Sequence, residues 1–245
     1  MVGVTISKRT TSIAVLNFME IIRKLIGALP ATELIEDLEV LRIDVDSVRS
    51  LLSQIQQKLE RIPPEELLNK FLSVVPDTAS EESYNETIEK LERVYKELFP
   101  VEISMMERFR ESSTPEVKKQ VWNEVYRPIA VNLAESFAEE SAKLWDYAFD
   151  NEGLSDEEIE KLDLVNSWLF LLTKVFAISS RMEDSEKAVE LSRFGVILYL
   201  RGVKIFREPN LNVNEAKEML KQDFKLIVRK ITAGVELKPF NRKGF

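Results

Sequence analysis

Glu135, Glu139, Asp146 and Asp150 are the residues of this chain best spaced to do chemistry. At 100° per residue they fall within a sector of ~60° on one helix face. Facing carboxylates of that kind hold divalent cations in all-helical enzymes, so a metal site is one reading of them. Asp156, Glu157, Glu160 and Asp163 form a second acidic cluster, and Glu183, Glu186 and Glu190 a third. Lys143 interrupts the first stripe, and acids such as Glu157 stand in a helix's first turn, where the dipole favours them without any metal. The acids are therefore read first as solvated surface.

The rest of the catalytic inventory is thin. The chain has 0 His and 0 Cys, which removes Cys/His zinc sites, thiolate nucleophiles and His-based triads. Its 7 glycines are scattered singly, with no phosphate-cradling loop and no dinucleotide fingerprint. No cofactor is expected, and the sequence leans away from an enzyme.

Charge supplies a second candidate. From residue 193 onward there are 12 Lys/Arg and 5 Asp/Glu, whereas the preceding residues hold 22 and 37. Lys217, Lys221, Lys225 and Arg229 recur every four residues and drift gently along one helix face, and Arg242 and Lys243 follow in the tail. Such a stripe suits phosphate contact, which makes nucleic acid a possible partner. The plainer reading lays this basic end against acidic helices of the same chain, in keeping with an overall pI near 5.0.

Long helices must position all of these residues. Glycine (7) and proline (9) are scarce across 245 residues, so few turns are available. Val2, Val4 and Ile6 allow a short edge strand, and a helix is expected from Ser12 to Leu29, stopped by Pro30. After Pro63-Pro64, helices are expected over about 65–75, 81–98 and 101–110. Thr114 caps the next, with Pro115 at its first position; it runs to about Phe149 and is kinked at Pro128. Ser155 and Glu158 make a capping box for a helix to about Arg181. Asp184 or Ser185 opens one to about Phe206, and Asn214 one to about Thr232. The 155–206 hairpin carries the most continuous apolar content and is expected at the centre of the C-terminal core.

The strongest pattern lies between Ala31 and Ile62. Leu34, Leu38, Leu41, Val45, Val48, Leu52, Ile55, Leu59 and Ile62 alternate by fours and threes, a heptad seam. Strand-like alternation at Leu41, Ile43 and Val45 is outweighed by those nine positions. As one helix the segment is ~48 Å long, against a diameter near ~46 Å for a globule of this size. Asp37 with Arg42, and Asp44 with Arg49, have the sign and spacing of pairs across a parallel homodimer. Ile35, Val40, Ile43 and Leu51 widen the apolar surface and favour burial within the chain's own bundle. On balance the first half is expected inside, with the half from Val48 to Ile62 freer to meet a partner.

Nothing reads as a signal peptide. The most apolar segment, Leu164 to Ser180, carries Asn166 and Lys174 and falls short of ~20 apolar residues. The expectation is a soluble, cytoplasmic, all-α protein with a thermophile-like composition and two regions, 1–112 with the heptad helix and 113–245 as a C-terminal bundle. Its expected role is a non-catalytic scaffold or interaction subunit. It would meet a protein partner or a second copy through Leu41, Val45, Val48, Leu52, Ile55, Leu59 and Ile62.

Overall fold

A computed structural model describes residues 45–151, 153–208 and 211–234. Those residues form an all-α fold with no strand among them. The early seam positions Leu34, Leu38 and Leu41, the expected strand and first helix, and the tail with Arg242 and Lys243 lie outside the described residues.

Local chemistry sets most of the helix ends. Helix α1 (Val45–Leu59) stops before Pro63-Pro64, and α2 (Pro64–Leu72) begins with Pro64 where a missing N–H costs nothing. Ser80 caps α3 (Glu81–Leu98) and forms a reciprocal box with Ser83, each hydroxyl accepting from the other's backbone N–H at 3.0 Å. Pro100 opens α4 (Pro100–Ser112).

Thr114 caps α5 (Pro115–Val121), as expected from the Thr-Pro pair. The long helix that follows is broken by a π-helical turn, Trp122–Tyr126, before α6 (Arg127–Asp150) continues it. Pro128 explains the break. It has no N–H for the carbonyl of Glu124, and its ring crowds that carbonyl. The ladder widens one turn earlier, where the Arg127 N–H donates to the Trp122 carbonyl, five residues back.

Ser155 and Glu158 form the expected box at the start of α7 (Asp156–Ser179). Asp184 caps α8 (Ser185–Phe206), accepting from the N–H groups of Glu186 and Lys187 at 3.0 and 3.1 Å. At α9 (Val213–Gly234) the expected cap moves by two residues: Asn212, not Asn214, accepts from the N–H groups of Asn214 and Glu215.

Helices α6, α7 and α8 pack in succession, and α9 lies against both α7 and α8. A run of aromatic contacts marks this core: Phe176 with Phe137 at 5.9 Å, Phe137 with Tyr199 at 5.7 Å, Tyr199 with Trp168 at 5.6 Å, and Trp168 with Phe206 at 5.3 Å. Helix α8 fits into this space because its inner face is notched. A Cβ on Gly195 would lie 2.8 Å from Phe176 Cζ, and one on Gly202 would lie 2.1 Å from Trp168 Cε2. Among the described residues α7 alone is long and apolar enough to cross a membrane, yet 56% of its most apolar stretch is buried in this core.

The N-terminal helices close over the same core. Helix α1 packs on α4, α5 and the π turn, while α2 and α3 pack on α8. Buried side chains form one cluster from Val45 to Ile227, crossing the boundary at residue 112.

Candidate functional site

The heptad seam is used inside the chain. Val45, Val48, Leu52, Ile55 and Leu59 are all buried, and Ile62 packs half-buried against the core. The half from Val48 to Ile62, expected to be freer to meet a partner, is packed against its own chain. These side chains face α4, α5 and the π turn, and docking through them would require opening the core. Within the chain Arg49 pairs with Asp46 at 2.9 Å and with Glu124 of the π turn at 3.3 Å. The extra apolar position Leu51, also buried, is what a helix covered on several sides requires.

Glu135, Glu139, Asp146 and Asp150 all sit on the solvent face of α6. Among the described residues no three carboxylates are grouped so as to hold a metal ion. The face periodicity is real, but among the described residues no neighbouring helix brings a second set of ligands to it.

Lys217, Lys221, Lys225 and Arg229 are exposed along α9. Lys217 lies 3.6 Å from Glu160 of α7, and Lys221 pairs with Glu218 one turn away. Part of the basic stripe is thus already matched by carboxylates of its own chain, and Phe224 stands exposed within it.

Two further arrangements were missed in the sequence. The first is a polar network at the junction of α3, α8 and α9. Arg201, 1% exposed, donates through Nε to Asp223 Oδ1 at 2.8 Å and through Nη1 to the Pro76 carbonyl at 2.5 Å. The Tyr84 hydroxyl donates to the same Asp223 oxygen. Burial raises the Tyr84 pKa well above its ordinary value, and the Asp223 charge adds to the effect. The hydroxyl is therefore a fixed donor rather than a titrating group. Around this centre, Lys204 binds Asp77 at 2.7 Å and the Val75 carbonyl at 3.2 Å, and Arg207 binds Glu65 at 3.0 Å. Lys230 joins Glu81 at 2.6 Å to Glu190 at 2.7 Å while lying over the Phe194 ring. The network fastens the first helices and the loop before α3 to α8 and α9. It holds charge deep in the core and ties together elements far apart in sequence, which gives it a structural role.

The second is an exposed aromatic surface. Trp145 (46% exposed) and Phe149 (77% exposed) stack on each other at 5.9 Å near the end of α6, and Ile159 is exposed on α7 beside them. Beneath lies a groove of about 730 Å³, floored by Leu144, Ala148, Leu154 and Leu162. Asp156, Glu160 and Asp163 stand at its edge, and among the described residues no Lys or Arg lines it. The signal was present: Trp145 and Phe149 are four residues apart, on one helix face, among the acids of α6.

Comparison with protein-family models, with curated proteins and with solved structures finds no match to this chain.

Proposed function

We propose that the chain is a non-catalytic interaction subunit that docks a basic amphipathic helix in the groove between the end of α6 and α7. The observation that carries this reading is the stacked Trp145–Phe149 pair, left in solvent above an apolar floor with an acidic edge. Large aromatic side chains held in water lose the burial that would stabilise them, and such anchors supply most of the affinity in helix-in-groove binding. The edge selects the partner's charge. Asp156 and Asp163 favour Lys and Arg flanking an apolar stripe, Glu160 being already paired with Lys217, and the nearby C-terminal end of α6 adds its negative dipole. The basic stripe of α9 is a weaker basis for function, because Glu160 and Glu218 already answer two of its four cations.

Two designed peptides with identical Leu stripes, one carrying Lys on the polar face and one Glu, test the proposal by titration against the full chain. The Lys peptide is expected to bind with a Kd in the micromolar range, while Phe149→Ser weakens it about tenfold, the loss of one anchor side chain. Because Phe149 is exposed, Phe149→Ser should leave the melting temperature unchanged. Equal binding of both peptides, or indifference to Phe149→Ser, sinks the proposal.

A further inference from the structure

A groove that takes a basic helix with an apolar stripe has a fitting face on the same chain. On α6, Trp145 and Phe149 stand one turn apart in solvent, and each is followed at once by an exposed carboxylate, Asp146 and Asp150. On α9, Phe224 (54% exposed) and Val228 (38% exposed) also stand one turn apart, and each is followed at once by an exposed cation, Lys225 and Arg229. The two helix faces repeat one arrangement with opposite sign.

On both helices the charged row lies 100° round from the apolar row, in the same rotational sense. Two such helices packed face to face and antiparallel bring their charged rows to one side; packed parallel, they leave them on opposite sides. Antiparallel docking therefore sets Phe224 by Phe149 and Val228 by Trp145, with Lys225 toward Asp150 and Arg229 toward Asp146. Charges flanking an apolar seam in this way fix partner and orientation in paired helices. Part of the charge is already committed. Lys217 and Lys221 pair with Glu160 and Glu218, and Lys225 also acts on Glu218. On the other face Lys143, three positions before Asp146, is bound to Glu140. Arg229 and Lys225 against Asp146 and Asp150 carry the attraction, with Asp156 and Asp163 behind them at the groove's edge.

We infer that the occupant of the groove is a second copy of this chain, its α9 face lying antiparallel on the end of α6. The inference rests on the groove reading above and names its partner. The groove lies by the first turns of α7, from Asp156 to Asn166, whereas Phe224 lies farther along, where Trp168, Phe170 and Leu171 share a hollow with it. The two faces thus sit at different heights along α7, and the contact is head-to-tail. Each added copy leaves one groove and one α9 face free, so assembly grows with concentration.

Sedimentation velocity of the full chain reads this directly. The average mass should exceed that of one chain, rise with concentration across the micromolar range and fall as salt is added. Phe149→Ser and Phe224→Ser, both at exposed positions, should each weaken association about tenfold with Tm unchanged. Mixed one to one, these two variants should associate again and stop at pairs, because one keeps a working α9 face and the other a working groove. Asp146→Lys with Asp150→Lys should abolish association, and mixing that chain with one carrying Lys225→Asp and Arg229→Asp should restore it. A single-chain species at every concentration overturns the inference, and so does association that Phe224→Ser leaves intact. The Lys peptide then separates the two readings. If it binds a chain that stays single, the groove stands and the second copy is not its occupant; if neither binds, the groove reading fails as well.

Discussion

Asp223→Ala should lower the stability of the folded chain by roughly 3–5 kcal/mol, the cost of leaving one member of a buried ion pair without its partner. Arg201 and Asp223 are 1% and 0% exposed, so removing the carboxylate leaves the guanidinium buried without its charge partner. Helix α8 cannot release Arg201 to solvent, because every residue from Phe194 to Val203 is buried and the helix is covered on all sides there. Urea unfolding followed by circular dichroism reads the loss as a fall in midpoint at constant slope. Arg201→Met should cost a similar amount, and the double variant much less than the sum, since removing both charges leaves neither stranded. Additive costs would show that the two residues act separately. Tyr84→Phe, which removes a single hydroxyl donor, should cost only about 1–2 kcal/mol.

The same pair sets a pH dependence. Burial pushes the Asp223 carboxyl above its ordinary value, against the pull of Arg201 and of the Tyr84 hydroxyl. The folded chain therefore keeps this proton at pH values where the unfolded chain has lost it. Asp223's contribution to stability declines as pH rises from the ordinary carboxylate value through the raised folded value, and is flat above it. Asp223→Asn should remove that slope from a series of urea melts. An unchanged slope would place the titration elsewhere.

How much of this was legible depends on how local the cause is. Thr114-Pro115, Ser155 with Glu158, and Asp184 act on backbone groups within three residues, and each stands where its chemistry predicts. Pro128 was legible as a disturbance but not in its form, because a kink and a π turn both accommodate a missing N–H. Val45, Val48, Leu52, Ile55 and Leu59 of α1 are buried. Periodicity says that a face is covered and not by what, and here the cover is α4, α5 and the π turn. The acidic stripe of α6 and the basic stripe of α9 were true faces, but their use depends on what the neighbouring helices bring.

Arg201 was overlooked for a different reason. Within the apolar run of α8 one cation changes the pattern little, yet a charge amid Leu198, Leu200 and Val203 must find a partner or stay out of the core. Its partner is 22 positions along the chain and Tyr84 is farther still. No spacing rule reaches across such distances. The exposed Trp145–Phe149 pair was also passed over, since aromatic residues on a helix are ordinarily taken as core.

Gly202→Ala is the substitution for which sequence and structure give opposite expectations. On propensity alone alanine should stabilise a helix interior by about 1 kcal/mol over glycine. In place, the new Cβ would lie 2.1 Å from Trp168 Cε2 and 2.2 Å from its Nε1, inside any tolerable contact. The indole has nowhere to go. Its N–H donates to the Leu198 carbonyl at 3.1 Å, its face stacks on Tyr199 at 5.6 Å, and Phe206 meets it at 5.3 Å. To accept the methyl group, α7 and α8 must separate or the ring must leave its hydrogen bond, and overpacking of this kind costs about 1–3 kcal/mol or more. With three contacts below 2.6 Å on one rigid ring, the net loss should fall at or above the top of that range, near ~3 kcal/mol after the propensity gain. Thermal melting should show it as a drop of several degrees. Trp168→Leu, which removes the ring, should then cost less in the Gly202→Ala background than in the wild type, because the clash it relieves exists only there. If Gly202→Ala instead raises the melting temperature, the close approach of α7 and α8 at this point is wrong, and with it the centre of the core.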